Sequence, residues 1–254
     1  MPESVRGNEN AVPEAPPKFK FFVYIIESPS APDIYHGRSE GALVAQAIRL
    51  DGIPCVIRTA INLEAFKAAL LYGLSEVMKM FPGHYPILHL SAHGGEEGIQ
   101  LSSNETITWA ELRDFLVPIN SSLNGTLLLC MSTCKGYSAC RMAMEVGDMP
   151  HPYFAMIGNF GTPTWPDTSV AYMTFYHLIA KGQTIPDAVI AMRAASGDHD
   201  WVAETAEMSK QGYIEFVKNQ VQATDIQREL ENVADEAQLP PDAKALESGE
   251  SSSK

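Results

Sequence analysis

Two side chains in this sequence, Cys134 and His93, have the chemistry and the placement of a nucleophile and its base. Cys134 follows the apolar run TLLLCM that begins at Thr126, and His93 follows the run PILHLSA that begins at Pro86. A cysteine attacks a carbonyl well only as the thiolate, so a catalytic cysteine needs a nearby base or positive charge, and histidine is the usual base. The pair is therefore the candidate catalytic dyad of this chain.

Small and basic residues beside the dyad fit the same chemistry. Gly94 and Gly95 follow His93 directly, and without side chains their backbone N–H groups could face an incoming oxyanion. The N–H of Cys134 is a second candidate donor, and the neighbouring Lys135 would favour the thiolate. The predicted oxyanion donors are thus the backbone amides of Gly94 and Cys134.

Short apolar runs separated by helical patterns predict the elements that position this dyad. Five runs have the length and composition of buried strands, at 19–26, 55–59, 86–92, 126–131 and 152–158. Helices are predicted at 41–50, 62–80, 108–117, 168–180 and 185–195. Apolar strands that alternate with helices indicate a mostly parallel sheet covered on both faces, so the predicted fold class is an α/β three-layer sandwich.

The predicted sheet brings the two candidate residues together. In such sheets functional residues collect in loops just past the carboxyl ends of the strands. His93 follows the third predicted strand and Cys134 follows the fourth. Both side chains should therefore emerge at the same edge.

The remaining segments are assigned by composition. Residues 1–17 lack the basic patch and apolar run of a secretory signal and are predicted to be disordered, and the main domain is expected over 18–198. Residues 199–238 read as one or two amphipathic helices that form a C-terminal extension. Residues 239–254 are rich in acidic residues, Pro, Ser and Gly, and are predicted to be a disordered acidic tail.

Composition excludes several classes of function. The net charge of -13, without clustered Lys and Arg, argues against direct binding of nucleic acid. No apolar stretch approaches the roughly 18 residues of a membrane span. The four cysteines, Cys55, Cys130, Cys134 and Cys140, show no metal-ligand spacing and are expected to be free thiols in the cytoplasm. We expect neither a metal nor a cofactor.

Three blocks of the sequence, taken in order, resemble the CHAT family of clan CD cysteine peptidases, relatives of caspases and separase. They are ILHLSAHGG from Ile87, TLLLCMSTCKGYS from Thr126, and the stretch from Met156 to Arg193, which has a strand, a Trp-Pro turn and a helix bearing Phe-Tyr. The separation of 134 − 93 = 41 residues is on the scale of the roughly 50 residues between the same two residue types in caspases.

The resemblance implies a caspase-like fold and a role for each matching residue. His93 matches the catalytic histidine of the family, Cys134 its nucleophile and Gly94 its oxyanion glycine. Trp165 would wall a substrate cleft. Asp167 comes a residue or two earlier than the acidic residues of the family; if it lines the pocket, it would select a basic side chain before the scissile bond.

Other interpretations of single residues stay open. Trp165 could fill the core, and Asp167 could cap the helix that follows it. Cys130 is the second candidate nucleophile, although it lies inside a strand, where burial as a small hydrophobe is expected. His89, also inside a strand, and Cys140, on a predicted helix, are expected to serve packing.

The chemistry expected of this chain is peptide-bond hydrolysis through a thioester, with a protein as substrate; no carboxylate can be named as a third member of the dyad. By analogy with small stand-alone CHAT proteins, the chain would act in bacterial antiviral defence and be activated by a separate activator or sensor protein. The alternatives are a catalytically silent caspase-like binding module or regulator, and a flavodoxin-like protein. The first strand, however, is followed by no acidic phosphoacceptor pair and no Gly-rich phosphate loop.

Overall fold

A central β-sheet with helices on both faces forms the frame of the protein. The computed structural model describes residues 20–238. The segments predicted to be disordered, 1–17 and 239–254, lie outside the described residues. The strands are β1 (Phe21–Ser28), β2 (Cys55–Thr59), β3 (Tyr85–Gly94), β4 (Gly98–Gln100), β5 (Thr106–Thr108), β6 (Leu128–Ser132), β7 (Ala155–Asn159) and β8 (Trp201–Thr205).

The helices lie mainly between the strands, as the alternating pattern predicted. They are α1 (Ala31–Tyr35), α2 (Glu40–Leu50), α3 (Leu63–Lys67), a π-helical turn (Ala68–Gly73), α4 (Leu74–Met80), α5 (Trp109–Ser122), a 3₁₀ helix (Gly136–Ala143), α6 (Trp165–Ala180), α7 (Ile185–Ser196) and α8 (Ala206–Gln238).

The order of the strands in the main sheet is β2-β1-β3-β6-β7-β8. The pairs from β2 through β7 are parallel, and β8 is antiparallel to β7. The short hairpin of β4 and β5 continues from the end of β3 in antiparallel pairing. The carboxyl ends of β1, β3 and β6 therefore meet at one edge, with β3 in the middle.

Two apolar cores, one on each face of the sheet, explain why the strands are hydrophobic throughout. On β1, Phe22 and Tyr24 point into the core shared with α3, α4 and α5, whereas Val23 and Ile25 point into the core shared with α2, α6 and α7. Successive side chains of a strand face opposite ways, so a sheet covered on both faces needs apolar residues at every position. The predicted three-layer α/β sandwich is confirmed.

The helix predicted over 62–80 contains a π-helical turn. The Tyr24 hydroxyl donates a hydrogen bond to the Ala69 carbonyl at 2.7 Å, and Gly73 leaves space for the same hydroxyl because a Cβ there would collide with it. A side chain inserted into the helical ladder is a recognised cause of such turns. A strand residue thus sets the local geometry of the helix above it.

The prediction that the segment from Asp200 onward is wholly helical was wrong. Its first part is the edge strand β8, in which the ring of the buried Trp201 packs edge-on against Tyr172, with centroids 5.3 Å apart. The backbone carbonyl of Trp201 accepts a hydrogen bond from Nε of Arg193 at 2.6 Å. Pairing with β7 overrides the local helical pattern, since strand formation depends on tertiary neighbours. The rest of the segment is helix α8. No helix within residues 20–238 is long and apolar enough to cross a membrane.

Candidate active site

The two candidate catalytic residues lie at the carboxyl edge of the sheet, at the ends of two paired strands. Ser91 of β3 pairs with Ser132 of β6, and His93 and Cys134 each follow two residues later. Both residues line one cavity of about 360 Å³. The cavity opens to solvent, because the side chain of His93 is 43% exposed and Cys134 is half-buried.

Gly94 makes the close approach of the two loops feasible. A Cβ built at Gly94 would lie 2.8 Å from the Cβ of Thr133 and closer still to the carbonyl oxygen of Cys134. Real Cβ atoms essentially never approach other atoms so closely. The residue after the histidine must therefore be glycine for the nucleophile loop to lie against β3.

A buried carboxylate, Asp33, faces the imidazole of His93. Its Oδ2 lies 3.6 Å from Nε2 of His93, and its Oδ1 lies 3.0 Å from Nε of Arg38. The Ser30 hydroxyl donates to Oδ2 at 2.5 Å. This hydrogen bond, with further contributions from Arg38, His93 and a hydrogen bond from Trp165, holds the pKa of Asp33 below its ordinary value, so the group stays ionised.

Asp33 supplies what the dyad lacked in the sequence. A carboxylate near the ring of a catalytic histidine orients the ring and stabilises the imidazolium that forms when it takes a proton. Asp33 lies on the short helix α1, five residues after the end of β1. Sequence reasoning missed it, although the strand-end rule that selected His93 and Cys134 applies equally to β1.

The wall of the cavity opposite β3 is the start of helix α6. Trp165 contacts the His93 ring edge-on, with ring centroids 5.8 Å apart, and it lines the cavity together with Thr164 and Pro166. Arg38, which sequence reasoning did not single out, also lines the cavity. The placement of Trp165 agrees with a cleft wall rather than with core filling.

Asp167 caps helix α6. Its carboxylate accepts hydrogen bonds from the backbone N–H and the hydroxyl of Thr164, at 3.2 and 2.6 Å. This reciprocal pair is a capping box, which satisfies donors at a helix N-terminus. The Asp167 carboxylate is thus used in the helix cap, whereas its neighbours Pro166 and Thr168 line the cavity.

The thiol of Cys134 rests in its protonated form. Burial raises the pKa of Cys134, and hydrogen bonding from its own backbone amide offsets only part of this effect. The expectation that Lys135 favours the thiolate was wrong, because its ammonium group turns to Glu96 at 3.8 Å. Lys135 also holds a left-handed backbone conformation, with φ of 54°, and donates its N–H to the Gly161 carbonyl at 2.8 Å.

Gly95 is the one backbone donor near the thiol that differs from the expectation of a free N–H group. The N–H of Gly95 is taken up by the Gly98 carbonyl at 3.0 Å and is not free for a substrate. Gly94 itself lies opposite Ile99 in the pairing of β3 with β4. The N–H of Cys134 donates to no backbone carbonyl within residues 20–238.

The other cysteines are inaccessible. Cys55, Cys130 and Cys140 are buried, and only Cys134 is partly exposed among the four. Burial raises the pKa of Cys130 to about 12, which removes the second candidate nucleophile from consideration at neutral pH. His89 is fully buried, as expected for a packed strand residue, and its Nδ1 lies 2.8 Å from the Tyr176 hydroxyl.

Comparison with known proteins yields distant structural matches. No protein-family model and no curated protein matches the sequence. The Arg-specific cysteine proteinase gingipain R (RgpB) is similar at 10% identity and a TM-score of 0.43, over 74% of this chain and 48% of that chain. A complex of the pro- and mature domains of Porphyromonas gingivalis RgpB matches at 12% identity and a TM-score of 0.43, over 76% of this chain and 46% of that chain. The chain spans about half the length of these structures.

Proposed function

We propose that this chain is a cysteine endopeptidase in which Cys134 is the nucleophile and His93 the proton-transfer residue. The observation that carries the proposal is their shared cavity at the ends of the adjacent parallel strands β3 and β6. Asp33, buried and ionised 3.6 Å from the imidazole, supports it further. Asp33 acts as a positioning residue that works through His93.

The proposed reaction proceeds through a thioester. The thiol proton passes to His93 as the sulfur of Cys134 bonds to the carbonyl carbon of the substrate, and the carbonyl oxygen becomes an oxyanion held by the N–H groups of Gly94 and Cys134. His93 then donates its proton to the amine as the C–N bond breaks. His93 then takes a proton from water as the water oxygen bonds to the thioester carbon, and it returns that proton to the sulfur of Cys134 as the C–S bond breaks, which releases the acid and restores the thiol.

The raised pKa of Cys134 sets the order of these events. Because the resting thiol is protonated, attack must be coupled to proton transfer to His93 rather than start from a stored thiolate. Asp33 favours this transfer, since a carboxylate near the ring stabilises the imidazolium. The carboxylate thus compensates for a thiol that is not activated in advance.

The proposal is tested with a peptide library incubated with the wild-type protein, Cys134→Ala and Cys140→Ala. We expect Cys134→Ala to abolish cleavage, and Cys140→Ala, which removes a buried thiol outside the cavity, to retain it. The melting temperature of each variant controls for folding. Undiminished cleavage by Cys134→Ala would refute the assignment of the nucleophile.

A catalytically silent binding module is the second candidate function, and the burial of the Cys134 thiol, which raises its pKa and disfavours the thiolate, favours it. A single labelling experiment separates the two. A peptide bearing a thiol-reactive group at its scissile position should modify Cys134 faster than iodoacetamide does, if substrate binding assembles the site. A silent module would react with both probes at the rate of an ordinary half-buried thiol.

The resemblance to the CHAT family adds a proposed context: a cytoplasmic effector protease of a bacterial defence system, released by a separate activator protein. Burial of the Cys134 thiol, which raises its pKa and disfavours the thiolate, supports a need for activation. We expect the purified chain to cleave peptides weakly and to gain activity with its partner. Full activity of the isolated chain, unchanged by any co-purified protein, would argue against the activator.

A further inference from the structure

A second ionisable group lies beneath the candidate nucleophile loop. Glu40, the first residue of helix α2, has a fully buried side chain. Its Oε1 accepts a hydrogen bond from the Ser132 hydroxyl at 3.1 Å, and Ser132 is the last residue of β6, two before Cys134. Glu40 thus bonds to the point where the strand gives way to the nucleophile loop.

The other oxygen of Glu40 faces the imidazole of His89. Oε2 of Glu40 and Nε2 of His89 are 3.6 Å apart, and neither atom has a hydrogen-bond partner within residues 20–238. If Nε2 of His89 carries the proton, it is the donor that faces the acceptor Oε2 of Glu40. Nδ1 of His89 then accepts a hydrogen bond from the Tyr176 hydroxyl at 2.8 Å. This chain of polar groups ends on the Glu40 carboxylate.

Stability alone gives a weak reason for such a residue. Removing a carboxylate from water is costly, and exchanging a buried polar group for an apolar side chain of similar volume is often neutral or stabilising. Glu40 has one clean hydrogen bond and one imidazole at long range. The N-terminus of α2 would favour an acidic residue even at an exposed position, so burial beside Ser132 needs another explanation.

We propose that Glu40 is a positioning residue of the candidate active site: through Ser132 it fixes the turn that presents the Cys134 thiol to His93. This inference deepens the proposed function, and only its catalytic readout rests on that function. His89 holds the carboxylate in place from the opposite side.

The structure offers a matched control, Glu27. It is also a buried glutamate on the same face of the sheet, but it accepts hydrogen bonds from the Ser39 hydroxyl at 2.6 Å and the Gly41 N–H at 2.8 Å and bonds to nothing on β6. The change Glu27→Gln alters the contacts of Ser39 and Gly41, which flank Glu40, but leaves the hydrogen bond between Ser132 and Glu40 in place. It therefore tests whether loosening the start of α2 is enough to release the nucleophile turn.

The experiment compares Glu40→Leu, Ser132→Ala, the double variant and Glu27→Gln in the full chain. Leucine has a similar volume and no acceptor, so Glu40→Leu breaks the bond from the Ser132 hydroxyl. Release of the turn should expose the thiol, so we expect iodoacetamide to label Cys134 at least fivefold faster in Glu40→Leu and Ser132→Ala. Because the two act through one hydrogen bond, the double variant should label no faster than either. Glu27→Gln should stay within twofold of wild type. On a cleaved peptide, kcat should fall about tenfold or more at unchanged KM, since small misplacements of reacting groups are costly.

Mapping the label by mass spectrometry separates positioning from general loosening of the fold. Label confined to Cys134 supports the inference, whereas equal label on the buried Cys130 or Cys140 overturns it. An unchanged labelling rate in Glu40→Leu, an equal acceleration in Glu27→Gln, or additive effects in the double variant would also overturn it. If no peptide is cleaved by any form, the proposed function fails, and the labelling result still decides the role of Glu40.

Discussion

Gly94 and Gly95 are adjacent glycines with opposite structural demands, and they provide a sharp test of the site geometry. A Cβ at Gly94 would meet Thr133 at 2.8 Å and the Cys134 carbonyl closer still, whereas a Cβ at Gly95 would have nothing within 4 Å. Neither glycine holds a positive φ, so an alanine at either position is compatible with the local backbone. The change Gly94→Ala acts through the collision alone.

The size of the effect follows from the required movement. The nucleophile loop must shift by about half an ångström or more to restore ordinary contact distances. Overpacking of this kind costs typically about 1–3 kcal/mol, which lowers the melting temperature by roughly 2–12 °C at this chain length. A displacement of about 1 Å at reacting groups can cost roughly a hundredfold in rate, so we expect kcat to fall about tenfold to a hundredfold.

The measurements are thermal unfolding of both variants and the rate of peptide cleavage. Gly95→Ala should match wild type in both, because its Cβ enters open space and its N–H keeps the bond to Gly98. Equal behaviour of the two alanine variants would refute the close packing of the nucleophile loop against the end of β3. Loss of kcat in Gly94→Ala without any loss of stability would instead place the defect in the oxyanion donor itself.

Three further predictions concern charge. Asp33→Asn removes a carboxylate 3.6 Å from His93. Because the imidazole is nearly half exposed, we expect the variant to lose about 1–2 kcal/mol of transition-state stabilisation, or roughly 5- to 30-fold in kcat. The control Asp51→Asn, which alters a remote Asp–His pair, should leave kcat unchanged. Burial raises the pKa of Cys134, so its alkylation rate should keep rising above pH 8.5, the ordinary thiol pKa; a plateau below pH 8 would contradict this. Burial also raises the pKa of Glu27, although hydrogen bonds from Ser39 and Gly41 oppose this effect. Ionisation of Glu27 therefore destabilises the folded state above about pH 4.3, the ordinary glutamate pKa. The melting temperature of Glu27→Gln minus that of wild type should increase from pH 4 to pH 7, and a difference that stays constant would argue against this reasoning.

Local pattern and the strand-end rule account for the part of the site that sequence could predict. The five parallel strands are continuous apolar runs, and this pattern follows directly from burial on both faces. His93 and Cys134 then fall at neighbouring strand ends by topology alone. Gly94 was predicted as a site residue because its backbone N–H could bind the oxyanion. The structure shows a second reason for a glycine there, the close approach of the nucleophile loop, and no local sequence pattern could predict that contact.

The residues that sequence reasoning missed depend on contacts between distant segments. Asp33 and Glu40 look like ordinary acidic residues near helix starts. The role proposed for each depends on a contact more than 50 positions away, with His93 for Asp33 and with Ser132 for Glu40. Strand β8 was missed for a similar reason, since its five residues are stabilised by pairing with β7 and by the packing of Trp201. Such roles exist only in the assembled structure.

The strand order also has a consequence for biosynthesis. The cavity draws on residues from Arg38 to Thr168, contributed by four separate strand ends and loops. Parallel pairings of this kind close long loops and form late in folding. A ribosome-bound chain that has not yet extruded Trp165 lacks one wall of the cleft, so the cavity cannot assemble until the domain is nearly whole.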